Sequence, residues 1–200
     1  MGPYQRVFLK FLDFGGGYKV AYNSSDQVTD LDALGKSLSQ ALLEYNQRSV
    51  RNIELRLEPG KFLVSEAGYL ITTATVLKET PSSTFVGVNS GLNHLIRPMM
   101  YDAYHEIING TNAEGPIHTY TISGNICETD NFGVDRELPE VTEGDLIIIL
   151  NAGAYGFTMA SNYNSRFKPA EVLIYNGKAR LIRSRDTFED LVKNQIRLDF

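Results

Sequence analysis

The sequence predicts an α/β piece followed by an all-β domain with a closing helix. Three observations carry this. An apolar run that ends in three glycines is followed by an amphipathic helix and a second short strand, the order of a βαβ unit in a parallel sheet or barrel. After about Gly68 the texture changes to short β-rich runs separated by turn residues, as in an antiparallel barrel or sandwich. Residues 186–195 then return to helical spacing.

Residues 7–14 are apolar at nearly every position and run into Gly15, Gly16 and Gly17, which predicts a strand buried on both faces that ends in a loop. Leu31, Leu34, Leu38, Ala41, Leu42 and Tyr45 recur at steps of three and four, and Thr29 precedes them as the expected N-cap, with Asp32 three residues on. Ile53, Leu55 and Leu57 alternate with Glu54 and Arg56 up to the break at Glu58-Pro59-Gly60, which predicts the second strand.

In the β-rich part, strands are predicted at 69–77, 84–88, 118–123 and 145–150, and over 170–183 as a hairpin folded at Asn176-Gly177. Phe188, Leu191 and Val192 share a face of the closing helix, with Ser184 or Asp186 as its cap. The expected division is 1–68 and 69–200. The first part is too short to close as an eight-stranded barrel.

With 200 residues, 42% hydrophobic and 22% charged, the chain has the balance of a globular protein with a real core. A net charge of -5 without clustered Lys and Arg argues against a nucleic-acid partner and for a small molecule. No apolar run approaches the roughly 20 residues that span a bilayer, and the start of the sequence lacks a secretory pattern, so no membrane partner and a cytoplasmic location are expected. The single Cys127 has no disulfide partner within the chain. His94, His105 and His118 lack zinc-site spacing, so no metal is expected.

Three glycines after an apolar strand let the backbone approach an anion and offer it N–H groups, although Gly15, Gly16 and Gly17 equally make an ordinary turn. Glu58-Pro59-Gly60-Lys61 leaves the neighbouring strand with an acid and a cation, and by itself also reads as the capped start of a helix. The β-rich part adds His94-Leu95-Ile96-Arg97-Pro98-Met99-Met100-Tyr101, Gly124-Asn125-Ile126-Cys127-Glu128-Thr129-Asp130 and Asn151-Ala152-Gly153-Ala154-Tyr155-Gly156-Phe157.

With these motifs in this order, the sequence resembles the fold-type III pyridoxal-phosphate decarboxylases, and among them the diaminopimelate decarboxylases, over essentially its whole length. The resemblance implies the last strands and helices of a (β/α)8 barrel followed by a C-terminal β-domain. It implies pyridoxal 5'-phosphate as cofactor and a homodimer whose active sites are shared between subunits. It also implies decarboxylation of meso-2,6-diaminopimelate to L-lysine, the last step of lysine biosynthesis, by the full-length protein.

Carried over by motif, Gly15, Gly16 and Gly17 with Pro59, Gly60 and Lys61 would hold the cofactor phosphate. Glu58 would face the pyridine nitrogen and keep it protonated, which makes the ring an electron sink. Arg97 and Tyr101 match a substrate-binding pair, Arg97 clamping a carboxylate through two parallel hydrogen bonds. Glu128 matches the acid that recognises the distal amino group, and Cys127 the catalytic thiol that returns a proton after carbon dioxide leaves. Tyr155 matches a tyrosine that reaches both cofactor and substrate, and Lys61, on the same loop, is also expected at the substrate. Residues 158–165 and the three histidines are expected as framework without chemistry.

The chain departs from the family pattern in two places. Lys61 stands where arginine is commonest and offers a point charge in place of a planar fork. The family's Schiff-base lysine and ring-stacking histidine precede the first residue of this sequence, which implies a fragment that is inactive alone. A related ornithine, arginine or carboxynorspermidine decarboxylase shares the same loops. A non-catalytic homologue or fragment with a dimerisation role is the reading from another class.

Overall fold

A computed structural model describes residues 9–23, 25–49 and 52–198. The chain divides into two compact units, one ending at Val64 and the other beginning at Ser65. Each stands here on its own contacts.

In the first unit, strands β1 (Phe11–Asp13) and β2 (Glu54–Arg56) pair in parallel, with Leu12 opposite Leu55, and helix α1 (Leu31–Ser49) lies between them in the chain. This is the βαβ order predicted. Asp30, not Thr29, caps the helix: its carboxylate accepts the Ala33 N–H at 2.9 Å. The Thr29 hydroxyl oxygen is occupied by the Lys19 N–H at 2.8 Å. Asn46 fastens the far end, donating to the Ile53 carbonyl at 3.1 Å and accepting its N–H at 2.9 Å. Ile53, Tyr18 and Val20 are buried.

The expected strand buried on both faces is not found in this unit. Phe11 is 42% and Phe14 58% exposed, because a two-stranded sheet offers few neighbours to cover them. Val7 and Phe8 of that prediction lie outside the described residues. A short helix α2 (Gly60–Val64) follows β2.

The second unit is built on a six-stranded sheet in the order β5-β8-β3-β4-β6-β7. Its strands are β3 (Leu70–Glu79), β4 (Thr84–Val88), β5 (Ile107–Asn109), β6 (Ile117–Ser123), β7 (Asn131–Pro139) and β8 (Leu146–Ile149). The two ends of that order, β5 and β7, lie against each other, so the sheet is nearly closed and barrel-like. β4 and β6 run parallel, and every other pair is antiparallel. Inside pack Val86, Val88, Leu95, Ile122, Phe132, Ile147 and Ile149.

Asp145 is buried at the start of β8 and secures this closure, accepting from the Thr142 N–H at 2.9 Å and the Asn109 amide at 3.0 Å. Burial works to raise its carboxyl, but these bonds outweigh it and hold the group below the ordinary aspartate range.

Helix α3 (Arg97–Tyr101) leaves the loop after β4. Strands β9 (Glu171–Tyr175) and β10 (Lys178–Arg183) form a separate hairpin at Asn176-Gly177, with φ of 50° and 70°. That is the left-handed pair such a two-residue turn requires. Helix α4 (Phe188–Val192) is capped by Thr187, whose N–H donates to Asp190 at 2.9 Å, and not by Ser184 or Asp186. Asp186 instead accepts from Asn162 and from the Lys168 N–H.

Candidate active site

In the first unit the two loops singled out by sequence lie side by side at the same end of the parallel strands. The Phe14 N–H donates to Arg56 at 3.1 Å, and the Glu58 N–H to Gly15 at 2.7 Å. A β-carbon on Gly16 would stand 2.3 Å from the Glu58 carbonyl oxygen, so only glycine allows this approach. Gly15 and Gly17 take φ of 66° and 87°, with open space where a side chain would be.

The Gly15 N–H is taken by the Asp13 carboxylate at 2.8 Å, so the part of the glycine loop that fits a phosphate is the backbone at Gly16 and Gly17. The Glu58 side chain is exposed beside it. Gly60 opens α2, its N–H bonded to the Glu58 carbonyl at 2.9 Å. The Lys61 ammonium lies 5.3 Å from the centre of the Tyr22 ring, a cation held against an aromatic face.

In the second unit the sequence-predicted residues gather in two groups. Arg97, half-buried at the start of α3, is flanked by two rings: its guanidinium carbon lies 5.8 Å from the centre of Tyr101 and 5.6 Å from that of Tyr155. Among the described residues it forms no ion pair, so its fork is open to an incoming carboxylate.

Tyr155 reaches this place from a tight turn after β8, with a φ of 64° that non-glycine residues seldom adopt. A β-carbon on the next residue, Gly156, would meet the Ala152 carbonyl oxygen at 2.2 Å. The turn is therefore closed against its own start.

The other group is the 124–130 loop, which presents Cys127 and Glu128 to solvent. Asp130, only 4% exposed, holds it from inside, accepting the Ile126 N–H at 2.9 Å and the Leu92 N–H at 2.7 Å. One carboxylate thus ties this loop to the turn that leads to Arg97. Gly91 and Gly124 make room for it, since β-carbons there would lie 2.7 and 2.1 Å from its oxygen. Burial lifts the Asp130 carboxyl above the ordinary range, while the two N–H bonds pull the other way.

From outside, the Tyr163 hydroxyl donates to Glu128 at 2.9 Å and the Asn164 amide reaches the Cys127 sulfur at 3.8 Å. Arg166 donates to the Asn125 carbonyl at 3.1 Å. The bond to Glu128 raises the Tyr163 hydroxyl above the usual tyrosine range. Residues 158–165, expected as framework without chemistry, thus supply two contacts to the loop. The sequence hint was the polar run Asn162-Tyr163-Asn164-Ser165, where asparagine tolerates the left-handed backbone seen at Asn164, φ 54°.

The histidines are tied into the scaffold. His94 bonds Ser90 and the Phe167 carbonyl, at 2.8 and 2.9 Å, while buried His105 bonds the Leu150 carbonyl at 2.8 Å. His118 leans on Tyr120 at the sheet surface, ring centres 6.1 Å apart. Among the described residues no helix is long and apolar enough to cross a membrane.

Known proteins resemble this chain over nearly its whole length. A diaminopimelate decarboxylase of Methanothermobacter thermautotrophicus is 40% identical over 192 residues, 94% of this chain and 45% of that protein. One from Aquifex aeolicus is 40% identical over 92% of this chain and 43% of its own length. A crystal structure of diaminopimelate decarboxylase from Methanocaldococcus jannaschii in complex with L-lysine superposes with a TM-score of 0.88 at 37% identity, covering 96% of this chain and 44% of that one. A lysine/ornithine decarboxylase from Vibrio vulnificus, complexed with cadaverine, is more distant, with a TM-score of 0.66 at 25% identity over 78% of this chain and 41% of that one.

The chain therefore spans a little under half the length of the diaminopimelate decarboxylases it matches. Residues 26–153 match the family described as pyridoxal-dependent decarboxylase, C-terminal sheet domain. By that match, and by its identity to these relatives over nearly its whole length, the chain belongs to the pyridoxal-dependent decarboxylases.

Proposed function

We propose that this chain is the C-terminal part of a diaminopimelate decarboxylase, which removes one carboxylate of meso-2,6-diaminopimelate and releases L-lysine. The observation that carries this reading is the open guanidinium of Arg97 between Tyr101 and Tyr155, on the same domain as an exposed Cys127-Glu128 pair. One group suits a carboxylate, the other an ammonium and a proton transfer. Relatives named for diaminopimelate at 37–40% identity, against 25% for the lysine/ornithine enzyme, favour this substrate over its sisters.

Pyridoxal phosphate, when bound, supplies a sink for the electron pair left behind as carbon dioxide departs. The chain's own residues then divide the remaining work. Residues 1–68 read as the end of the (β/α)8 barrel, with the Gly16 and Gly17 amides and the Pro59-Gly60-Lys61 turn holding the phosphate, while the Gly15 N–H stays bonded to Asp13. Glu58 keeps the pyridine nitrogen protonated. Arg97 clamps the substrate carboxylate with Tyr101 beside it, and Tyr155 spans substrate and phosphate. Glu128 accepts the distal ammonium, and Cys127 Sγ delivers a proton to the carbon that lost its carboxylate.

The two groups on the sheet domain share no residue, which suits an enzyme in which each subunit lends Cys127 and Glu128 to its partner in a homodimer. A free amino acid as substrate suits a cytoplasmic enzyme. The test is turnover by the complete protein that contains this chain, with pyridoxal phosphate, on meso-diaminopimelate, ornithine, arginine and carboxynorspermidine. Lysine formed from diaminopimelate alone is expected. Turnover of a sister substrate in its place, or of none, overturns the reading.

A further inference from the structure

The segment 163–166 meets the 124–130 loop at three successive points. Tyr163 bonds the Glu128 carboxylate, Asn164 the Cys127 sulfur and Arg166 the Asn125 carbonyl, at 2.9, 3.8 and 3.1 Å. The segment is itself anchored: Asn162 donates to the Arg166 carbonyl at 2.9 Å and to Asp186 at 2.8 Å, which also accepts the Lys168 N–H. Two consecutive residues, Asn164 and Ser165, hold positive φ of 54° and 55°. This turn aims the Asn164 amide and the Tyr163 hydroxyl at neighbouring side chains of one loop.

We propose that residues 163–166 form a clasp of positioning residues, in which Tyr163 sets the direction of the Glu128 carboxylate and Asn164 that of the Cys127 thiol. The proposal rests on the roles assigned above to Glu128 and Cys127.

The chemistry follows from the donors. A phenol that donates to one carboxylate oxygen leaves the other free for an incoming ammonium. An amide N–H that donates to sulfur occupies one of its lone pairs and restrains rotation about the side chain, so that the S–H is held in one direction. Asp130 fixes the backbone of the loop, but its bonds reach only N–H groups. Without the clasp both functional side chains, exposed as they are, would turn freely.

The test begins with the 200-residue chain itself, whose only cysteine is Cys127. Alkylation by iodoacetamide at about pH 10, above the range of ordinary thiols, reads access to the sulfur and not its ionisation. Asn164→Gly, which accepts the left-handed backbone, should be labelled about fivefold faster, the factor released by losing one ordinary hydrogen bond. In tyrosine ring-carbon NMR, Tyr163 should titrate above the ordinary range and return to it in Glu128→Gln. The dispersion of the same spectra confirms that each variant is folded. An unchanged or slower labelling rate, or a Tyr163 titration indifferent to Glu128, overturns the clasp.

In the complete enzyme, Tyr163→Phe should raise KM for diaminopimelate with kcat little changed, and Asn164→Gly should lower kcat with KM little changed. If labelling and titration move as stated while neither kinetic constant does, the clasp stands and the roles of Glu128 and Cys127 fall.

Discussion

At the scale of single residues, the 124–130 loop depends on a buried acid as much as on the two side chains it displays. Asp130→Ala would leave the N–H groups of Ile126 and Leu92 without their acceptor, and each buried donor so stranded costs about 1–3 kcal/mol. A loss of about 3 kcal/mol in urea unfolding is expected, with Asp130→Asn losing less because it keeps one acceptor oxygen. A wild-type midpoint in the alanine variant would contradict the account. Cys127, Glu128, Arg97 and Tyr155 were singled out in the sequence because each sits in a dense local motif, and their proposed roles rest on that motif match. Asp130 sits in the same motif, yet the letter is the same whether the carboxylate faces solvent or two amides. Tyr163 was illegible for another reason: its partner Glu128 is 35 residues away, and no local spacing encodes that contact.

At the scale of elements, legibility followed side-chain pattern. Strands β3, β4, β6 and β8 and the β9–β10 hairpin were readable from apolar or alternating runs. β7, with the sequence NFGVDRELP, was not predicted: it carries a glycine, a proline and a left-handed Asp135 at φ 51°, and only Phe132 and Leu138 among its apolar residues are buried. It becomes a strand because β6 supplies its partner groups, a tertiary cause. The three-residue β5 was missed because it is too short to show a period. The hairpin is the opposite case, specified almost entirely by its turn. Gly177 has a φ of 70°, where a Cβ costs about 1–2 kcal/mol. Gly177→Ala is therefore expected to speed amide hydrogen exchange in β9 and β10 roughly tenfold while the six-stranded sheet keeps its protection. Equal loosening in both sheets would show that the hairpin is not an independent unit of stability.

At the scale of the whole molecule, the titration of buried groups sets how stability answers to pH. Burial of His94 and His105 lowers both below the ordinary 6.5, against the pull of their bonds to the Phe167 and Leu150 carbonyls. An unfolded chain then binds protons at these histidines before the folded one does, so their contribution is complete above 6.5 and is lost as pH falls through the folded values. Asp130 works in the opposite sense: raised above 3.8, it withdraws stability as pH rises from that value to its folded one. The carboxylate of Asp145, lowered below 3.8, adds stability that persists above that value and is lost only in stronger acid. The unfolding free energy from urea titrations should therefore fall between about pH 7 and about pH 5. That fall should shrink in His94→Gln and His105→Gln, each compared with the wild type at every pH so that the aspartates cancel. A decline of the same size in both variants would place the titrating groups elsewhere and would mean that burial of these two rings does not govern the acid limb.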